Sequence, residues 1–559
     1  MQPQPAPDTD PSFVRGSSEA IGASIGRPAL GCRVARADEP DTHVTMRLGM
    51  VLTLSAAALF SGCGKGAPTL PLPPPPAASK AAASTPNLER LRQALTAATA
   101  LPGVRRATWG IVVHSVDRDE RLFELNAQAL LTPASAAKII AAATASEAVG
   151  WDYTYETTVR AAGTVANGVL QGDIVVVGTG DPTIEGRTGQ SLQTWVTALK
   201  AAGIRRVQGR VIGDDNRLEE PRPALAWSWD DIGGPTGVLF GALNAAENLM
   251  AVTVTPGVKA GDRAVETVER QAKGRPLETR VITGLAKSET TVWAEQRPGD
   301  PFVTIAGSIP ASAKPTVLPV AVGNPTLWFA NLLRERLIQG GIPVQGDATD
   351  IDEAKPAPAR SGQTLYVHRS APLSTIVQPM LKNSVNLYAE AIMRLNAAGA
   401  GAGTGAAVAT MYRAQESVQK RLTQWGVPPD AYQLVDGSGV SRRSVVSAEA
   451  LTAVLRKMYD PAMRSPFIQA LPVAGVDGTL LERMRRTPAE RNVRAKTGTM
   501  SNVRSLAGYV TTHDGERLAF AIISNNFEGT GQDAIKAIDA IAVSLAGFRR
   551  GLPSARDTE

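Results

Sequence analysis

Between residues 153 and 368 the texture of the chain changes, and that change restricts the fold more than any other feature. Short apolar runs such as Gly172-Asp173-Ile174-Val175-Val176-Val177-Gly178, 207–212 and 249–255 alternate with Gly, Pro and Asp, a pattern of strands and turns. Helical stretches are expected there only at 192–201 and 325–339, and no internal repeat of fixed period is present. On either side the spacing predicts longer helices: 87–100 and 133–149 before, and 373–382, 384–397, 406–425 and 447–459 after. A hairpin is expected at 108–116 and 121–125 around the polar turn Asp117-Arg118-Asp119-Glu120. Three further strands are expected at 492–499, 505–511 and 517–524, followed by an amphipathic helix over 532–548. The β-rich span therefore reads as a module inserted into an α+β domain of five antiparallel strands covered by helices.

The first long helix opens with Pro133-Ala134-Ser135-Ala136-Ala137-Lys138 and runs to Val149. Thr132 is expected to cap it, and Pro133 suits its first turn. Ser135 and Lys138, three apart, share a helix face, so the amine can reach the hydroxyl. A hydroxyl near a helix N-terminus, beside an amine desolvated by alanines, is an activated nucleophile. The motif alone is weak, since Ser417-Val418-Gln419-Lys420 repeats it on an exposed-looking amphipathic helix. Two more motifs sit where such chemistry needs them. Ser384-Val385-Asn386 lies at a junction of two helices, where a second hydroxyl can relay a proton and an amide can hold a substrate carbonyl. Lys496-Thr497-Gly498-Thr499 lies on a strand, offering a cation for a carboxylate and a glycine past which a substrate backbone can lie. Ser524-Asn525-Asn526 copies the second motif but follows the third, and chain order excludes it.

Composition removes other classes. The net charge of +6 is scattered rather than banked, which argues against nucleic-acid binding. The four histidines, His43, His114, His368 and His513, have no ligand spacing, so no metal centre and no cofactor are expected. The Gly-rich run 399–405 follows a helix rather than a strand and reads as a connector, not a phosphate loop. No Gly-x-Ser-x-Gly elbow supports a His-based triad.

Ser-x-x-Lys, Ser-x-Asn and Lys-Thr-Gly in this order are the motif set of penicillin-binding proteins and serine β-lactamases. The chain resembles the D-alanyl-D-alanine carboxypeptidase/endopeptidase group of the penicillin-binding protein 4 type, serine peptidase family S13. Further marks are Gly178-Thr179-Gly180-Asp181-Pro182-Thr183, Ile212-Gly213-Asp214-Asp215, Trp229-Asp230-Asp231, Ala242-Leu243-Asn244 and Asp436-Gly437-Ser438-Gly439-Val440-Ser441-Arg442. The resemblance implies a β-lactamase/transpeptidase-like catalytic domain over 87–152 and 369–548. It also implies two smaller, mostly-β domains inserted over 153–368. The 245 residues between Lys138 and Ser384 fit such an insertion and exceed the gap of a compact β-lactamase.

The implied activity is that of a serine-type D-Ala-D-Ala carboxypeptidase and/or DD-endopeptidase, cleaving peptidoglycan stem peptides and cross-links through an acyl-serine and inhibited by β-lactams. By the same resemblance Ser135 is the nucleophile, Lys138 its base and Ser384 the proton relay. Asn386, Lys496, Thr497, Gly498 and Thr499 hold the substrate, and the Ser135 and Thr499 N–H groups form the oxyanion hole. Asp231 and Arg442 either contact substrate or form a structural salt bridge; Asp181 and Asp436 read as turn formers. The rival readings are a β-lactamase-like hydrolase, a related esterase and a non-catalytic peptidoglycan-binding lipoprotein. The first would want an extra carboxylate base, the second a Tyr in place of Ser384, and the third a lost motif residue.

The N-terminal region carries an address. Met46-Arg47, the apolar run 48–60 and Phe60-Ser61-Gly62-Cys63 resemble a lipoprotein signal over 46–63, with Cys63 as the lipidated residue. A simply cleaved secretory signal remains open. Either implies a periplasmic protein, and the first an outer-membrane anchor. Residues 1–45 read as a mis-called start or a disordered extension, 64–86 as a Pro/Ala-rich tether, and 549–559 as a disordered tail. Cys32 and Cys63 both precede the folded region, so no disulfide framework is expected in its body.

Overall fold

The computed structural model describes residues 80–81 and 85–551, apart from 222, 269–275, 298, 360–361 and 399–408. Cys63 with its signal-like segment, the extension before it, most of the expected tether, the 399–405 connector and residues 552–559 lie outside the described residues.

The strands that sequence places at the two ends of the chain share one sheet. Its order is Lys80–Ala81, Glu120–Leu125, Thr108–Ser115, Arg517–Asn525, Val503–Thr511 and Arg494–Met500. The five longer strands are antiparallel, with Ile111 opposite Ile522 at the seam between the N-terminal hairpin and the C-terminal strands. The sixth was not foreseen. Lys80 and Ala81, expected within the tether, pair in parallel with Glu120 and Arg121.

Side chains alternate across this sheet, as the two-residue period demands. Ile111, Val113, Phe520 and Ile522 enter an apolar cluster with helices Pro86–Thr99 and Gly531–Gly547. Val112, Ala519, Ala521 and Ile523 face the helical side, which contains Ala448–Met458 and Lys138–Val149. All nine residues from Lys138 to Ser146 are buried, so the helix is enclosed on every side until its last turn, where Glu147 is exposed. Gly150, at φ 82°, ends it by donating its N–H to the Ser146 carbonyl.

Residues 153–368 form three sheets over a large apolar cluster, with a smaller one of Ala162, Val175, Ile212 and Ala354 beside it. The largest runs Ala348–Asp350, Val211–Asp214, Val169–Val177, Glu156–Ala166, Thr364–Arg369, with Arg206–Val207 beside Val169–Val177. Helices Leu192–Ala201 and Pro325–Gln339 pack through Trp195 and Phe329, whose ring centroids stand 5.7 Å apart. The segment after Val211–Asp214 leaves this module and reaches the helical side of the catalytic domain, where Leu218, Val238, Phe240 and Ala242 join that domain's core.

Candidate active site

The nucleophile turn departs from the expected helix start. Residues Ala134–Ala137 form a 3-10 turn, the α-helix begins only at Lys138, and Thr132 makes no side-chain cap. The turn is instead fastened from the sheet. The Asn525 amide accepts from the Thr132 N–H at 2.9 Å and donates to its carbonyl at 3.0 Å. The Ser505 hydroxyl donates to the Pro133 carbonyl at 2.7 Å. Ala134, at φ +48°, bends the chain so that Ser135 faces the cleft.

Lys138 is fully buried, and its Nζ lies 2.8 Å from Ser135 Oγ, 2.7 Å from Asn386 Oδ1 and 2.8 Å from the Ser438 carbonyl. Burial lowers its pKa from 10.5 to about 7, against the opposing pull of Asp436 and Glu390. A neutral amine has two N–H donors and one lone pair. Asn386 Oδ1 and the Ser438 carbonyl can only accept, so they take both N–H groups and leave the lone pair facing the Ser135 hydroxyl.

Ser384 stands between helices Leu373–Lys382 and Asn386–Ala398 at φ +62°, a left-handed conformation uncommon for serine. Lys496 Nζ donates to Ser384 Oγ at 2.9 Å and to the Thr497 carbonyl at 2.8 Å. Burial, helped by the nearby charge of Lys138, pushes the Lys496 amine well below its ordinary range. Thr497 Oγ1 meets Thr479 Oγ1 at 2.7 Å. Asn386 donates its amide to the Thr236 carbonyl at 2.9 Å, so one side chain joins the catalytic lysine to the inserted module.

These residues line one cleft of 610 Å³, which includes Ser135, Ser384, Asn386, Thr497 and Thr499 together with Asp231 and Arg442. Lys138 and Lys496 lie behind its wall, each bonded to a hydroxyl that faces it. Asp231 and Arg442 form no close ion pair: Asp231 Oδ2 is buried without a hydrogen-bond partner, while Arg442 is exposed. Burial, then Asp230, raises the Asp231 carboxyl above its ordinary value, against the downward pull of the Arg442 charge. The structure changes the reason for Gly498. A Cβ there would stand 2.1 Å from Ser505 Oγ and 2.4 Å from the Pro133 carbonyl, so the missing side chain leaves room for the nucleophile turn itself. The second Ser-x-x-Lys is unused: Lys420 is exposed and Ser417 bonds to Arg421.

The loop 436–444 carries parts that were not assigned from sequence. Buried Glu390 accepts the N–H groups of Gly437 and Ser438, which aims the Ser438 carbonyl at Lys138. Asp436 is more than a turn former, since it accepts from Trp227 Nε1, Ser438 Oγ, the Ser441 N–H and Ser444 Oγ. Asp181 likewise accepts from the Thr183 N–H and hydroxyl and meets His368 Nε2 at 3.0 Å. The string Asp436-Gly437-Ser438-Gly439 was the available signal, but its bonding to residue 390 is not visible in local spacing.

Residues 91–546 match the model of the D-Ala-D-Ala carboxypeptidase 3 (S13) family. A D-alanyl-D-alanine carboxypeptidase of Actinomadura sp. (strain R39) is 32% identical over 478 residues, covering 83% of this chain and 86% of that protein. D-alanyl-D-alanine carboxypeptidase DacB of Haemophilus influenzae is 26% identical over 435 residues, covering 75% and 85% respectively. In fold, the chain is similar to the crystal structure of penicillin binding protein 4 from Haemophilus influenzae, with a TM-score of 0.70 at 24% identity, over 83% of this chain and all of that one. The expected β-lactamase/transpeptidase-like fold with extra β domains agrees with this likeness.

Gly439 tests how tightly the nucleophile turn is held. At φ +76°, a Cβ on it would stand 2.1 Å from the Ala134 carbonyl. Gly439→Ala should slow acylation by a fluorescent penicillin about 10–100-fold, equivalent to about 1–3 kcal/mol of backbone strain placed beside Ser135. Unchanged stopped-flow acylation rates would refute that coupling.

Proposed function

The chain belongs to the D-Ala-D-Ala carboxypeptidase 3 (S13) family, and from that premise we infer how its residues carry out serine-type hydrolysis of a D-Ala-D-Ala bond. The observation that carries the reading is the 2.8 Å contact between the buried Lys138 amine and the Ser135 hydroxyl. Ser135 Oγ attacks the carbonyl carbon of the penultimate D-alanine while neutral Lys138 takes its proton. The oxyanion is received by the Ser135 and Thr499 N–H groups, each such donor contributing on the order of 3 kcal/mol. As the C–N bond breaks, Ser384 gives its hydroxyl proton to the departing D-alanine nitrogen and is reprotonated with the proton that Lys138 took from Ser135, which returns the amine to its neutral form. Water then hydrolyses the acyl-serine ester. Lys496, Thr497 and Thr499 receive the terminal carboxylate, with Gly498 keeping the strand against the nucleophile turn. A carboxylate arriving there supplies the counter-charge that burial denies Lys496 and draws its amine toward ammonium.

A β-lactam acylates Ser135 as a mimic of the same peptide. The Haemophilus influenzae penicillin binding protein 4 has been solved complexed with a β-lactam. Asp231 and Arg442, which both line the cleft, contact the substrate beyond the scissile bond. A stem terminus and a cross-link both offer Ser135 a D-alanyl carbonyl on an amide nitrogen and differ only in the amine that leaves, so either carboxypeptidase or endopeptidase action fits the site.

Wild-type protein should be labelled by fluorescent penicillin and Ser135→Ala should not, and equal labelling of both ends the acyl-serine reading. Muropeptides incubated with wild type and read by mass spectrometry should lose one D-alanine per stem, or convert cross-linked dimers to monomers. Neither product would contradict the activity.

The signal-like segment supports a periplasmic location with Cys63 as a lipid anchor. Metabolic labelling with a fatty acid should mark the wild type but not Cys63→Ala; an unmarked wild type would dispose of the anchor and leave the cleaved signal.

A further inference from the structure

A second group of carboxylates lies in the inserted module and takes no part in hydrolysis. Strands Val211–Asp214 and Ala348–Asp350 pair in parallel, with Asp350 opposite Gly213, so both end at the same edge of the sheet. Asp215 follows the first strand, Asp350 ends the second, and Asp352 sits in the 3-10 turn Ile351–Glu353 just beyond. One oxygen from each lies within 4.8 Å of the others. Asp215 and Asp350 are only 3% and 6% exposed, whereas Asp352 is open to solvent. Glu220 stands at the rim, where burial and then the charges of Asp215, Asp352 and Asp350 raise its carboxyl above the ordinary value.

Hydrogen bonds account for part of this group. Asp350 accepts from Asn324 Nδ2 and the Asp352 N–H, and Asp215 Oδ2 accepts from Thr326 Oγ1. The other Asp215 oxygen, Oδ1, is closed off from solvent and has no partner. Burial and the charges of Asp350 and Asp352 raise the Asp215 carboxyl above its ordinary value. Among the described residues, none of the four acids makes an ion pair with Lys or Arg. Buried carboxylates are normally paired or coordinate a metal, and a buried carboxylate with one oxygen unpartnered and two other acids close by is costly.

We propose that Asp215, Asp350 and Asp352 bind a calcium ion, the Asp215 oxygen without a hydrogen-bond partner serving as the buried ligand and Glu220 completing the rim. An all-oxygen, carboxylate-rich set selects a hard divalent cation. Calcium holds its ligands at about 2.3–2.6 Å, so two of them can stand up to roughly 5 Å apart, which suits this spacing. The ion would join two strand ends to the segment that runs on through Glu220 to Asp231 and Thr236 at the cleft. Its role is to hold that segment in place, and hydrolysis itself does not pass through it.

Full-length protein stripped with EDTA and then freed of chelator should bind one calcium per chain by calorimetry, and its Tm should rise with added calcium chloride. Asp215→Asn should abolish both effects. Asp352→Asn, an exposed change that leaves packing alone, should weaken binding at least about tenfold, since it removes a charged ligand; it also keeps the test available if Asp215→Asn does not fold. Penicillin labelling of Asp352→Asn should match wild type, showing an intact catalytic domain. The site is refuted by no heat and no Tm shift up to about 10 mM calcium, above the roughly 10⁻⁴–10⁻³ M range of weak extracellular sites. Wild-type affinity in both variants also refutes it, as does a response to magnesium chloride with none to calcium.

Discussion

The structure depends on keeping one lysine out of water. Lys138 lies at the start of a helix whose first nine residues are all buried, and its amine meets a hydroxyl, an amide oxygen and a backbone carbonyl but no carboxylate within bonding distance. Asp436 and Glu390 are near enough to oppose the loss of its proton, yet burial outweighs them. Had either acid bonded to the amine directly, the ammonium would persist and Ser135 would lack a base. Glu390 instead uses Oε1 on the Gly437 and Ser438 N–H groups and Oε2 on Arg394. Asp436 spends its oxygens on Trp227, Ser438, Ser441 and Ser444. The negative charge is thereby used to build the loop.

Much of the surrounding architecture serves that burial. The nucleophile turn is held against the sheet by Asn525 and Ser505, and the glycines at 439 and 498 let backbone from two other elements approach it closely. The inserted module takes part as well. Thr236 receives the Asn386 amide, Leu225 receives the Ser441 hydroxyl, and Trp227 bonds to Asp436. The module therefore supplies one wall of the cleft and steadies the side chains that steady Lys138.

Sequence made the catalytic elements legible because their signals are local or periodic. A helix ending at Val149, the five long strands and the β-rich texture of 153–368 follow from apolar spacing that short windows contain, although the helix starts at Lys138 and not at 133. Ser135, Ser384 and Lys496 stood out through motifs in a fixed order. Contacts across long separations were not legible. No window of sequence shows Glu390 reaching residue 438, or Asn525 replacing Thr132 as the restraint on the nucleophile turn. Residues 80–81 carry a Pro/Ala-rich context that signals extension, and only the edge offered by Glu120–Leu125 makes them a strand. The Lys-Thr-Gly motif alone suggests room for substrate at Gly498, whereas the nearest neighbours of that position are Ser505, Pro133 and Ala134.

The most direct measurement is the pH dependence of Ser135 acylation by a fluorescent penicillin in the full-length protein. With the Lys138 pKa lowered from 10.5 to about 7, the amine is protonated below that point and cannot take the serine proton. The acylation rate should fall about tenfold per pH unit below 7 and level off above it. A rate that keeps climbing toward pH 10, as an ordinary solvated lysine requires, would contradict the account.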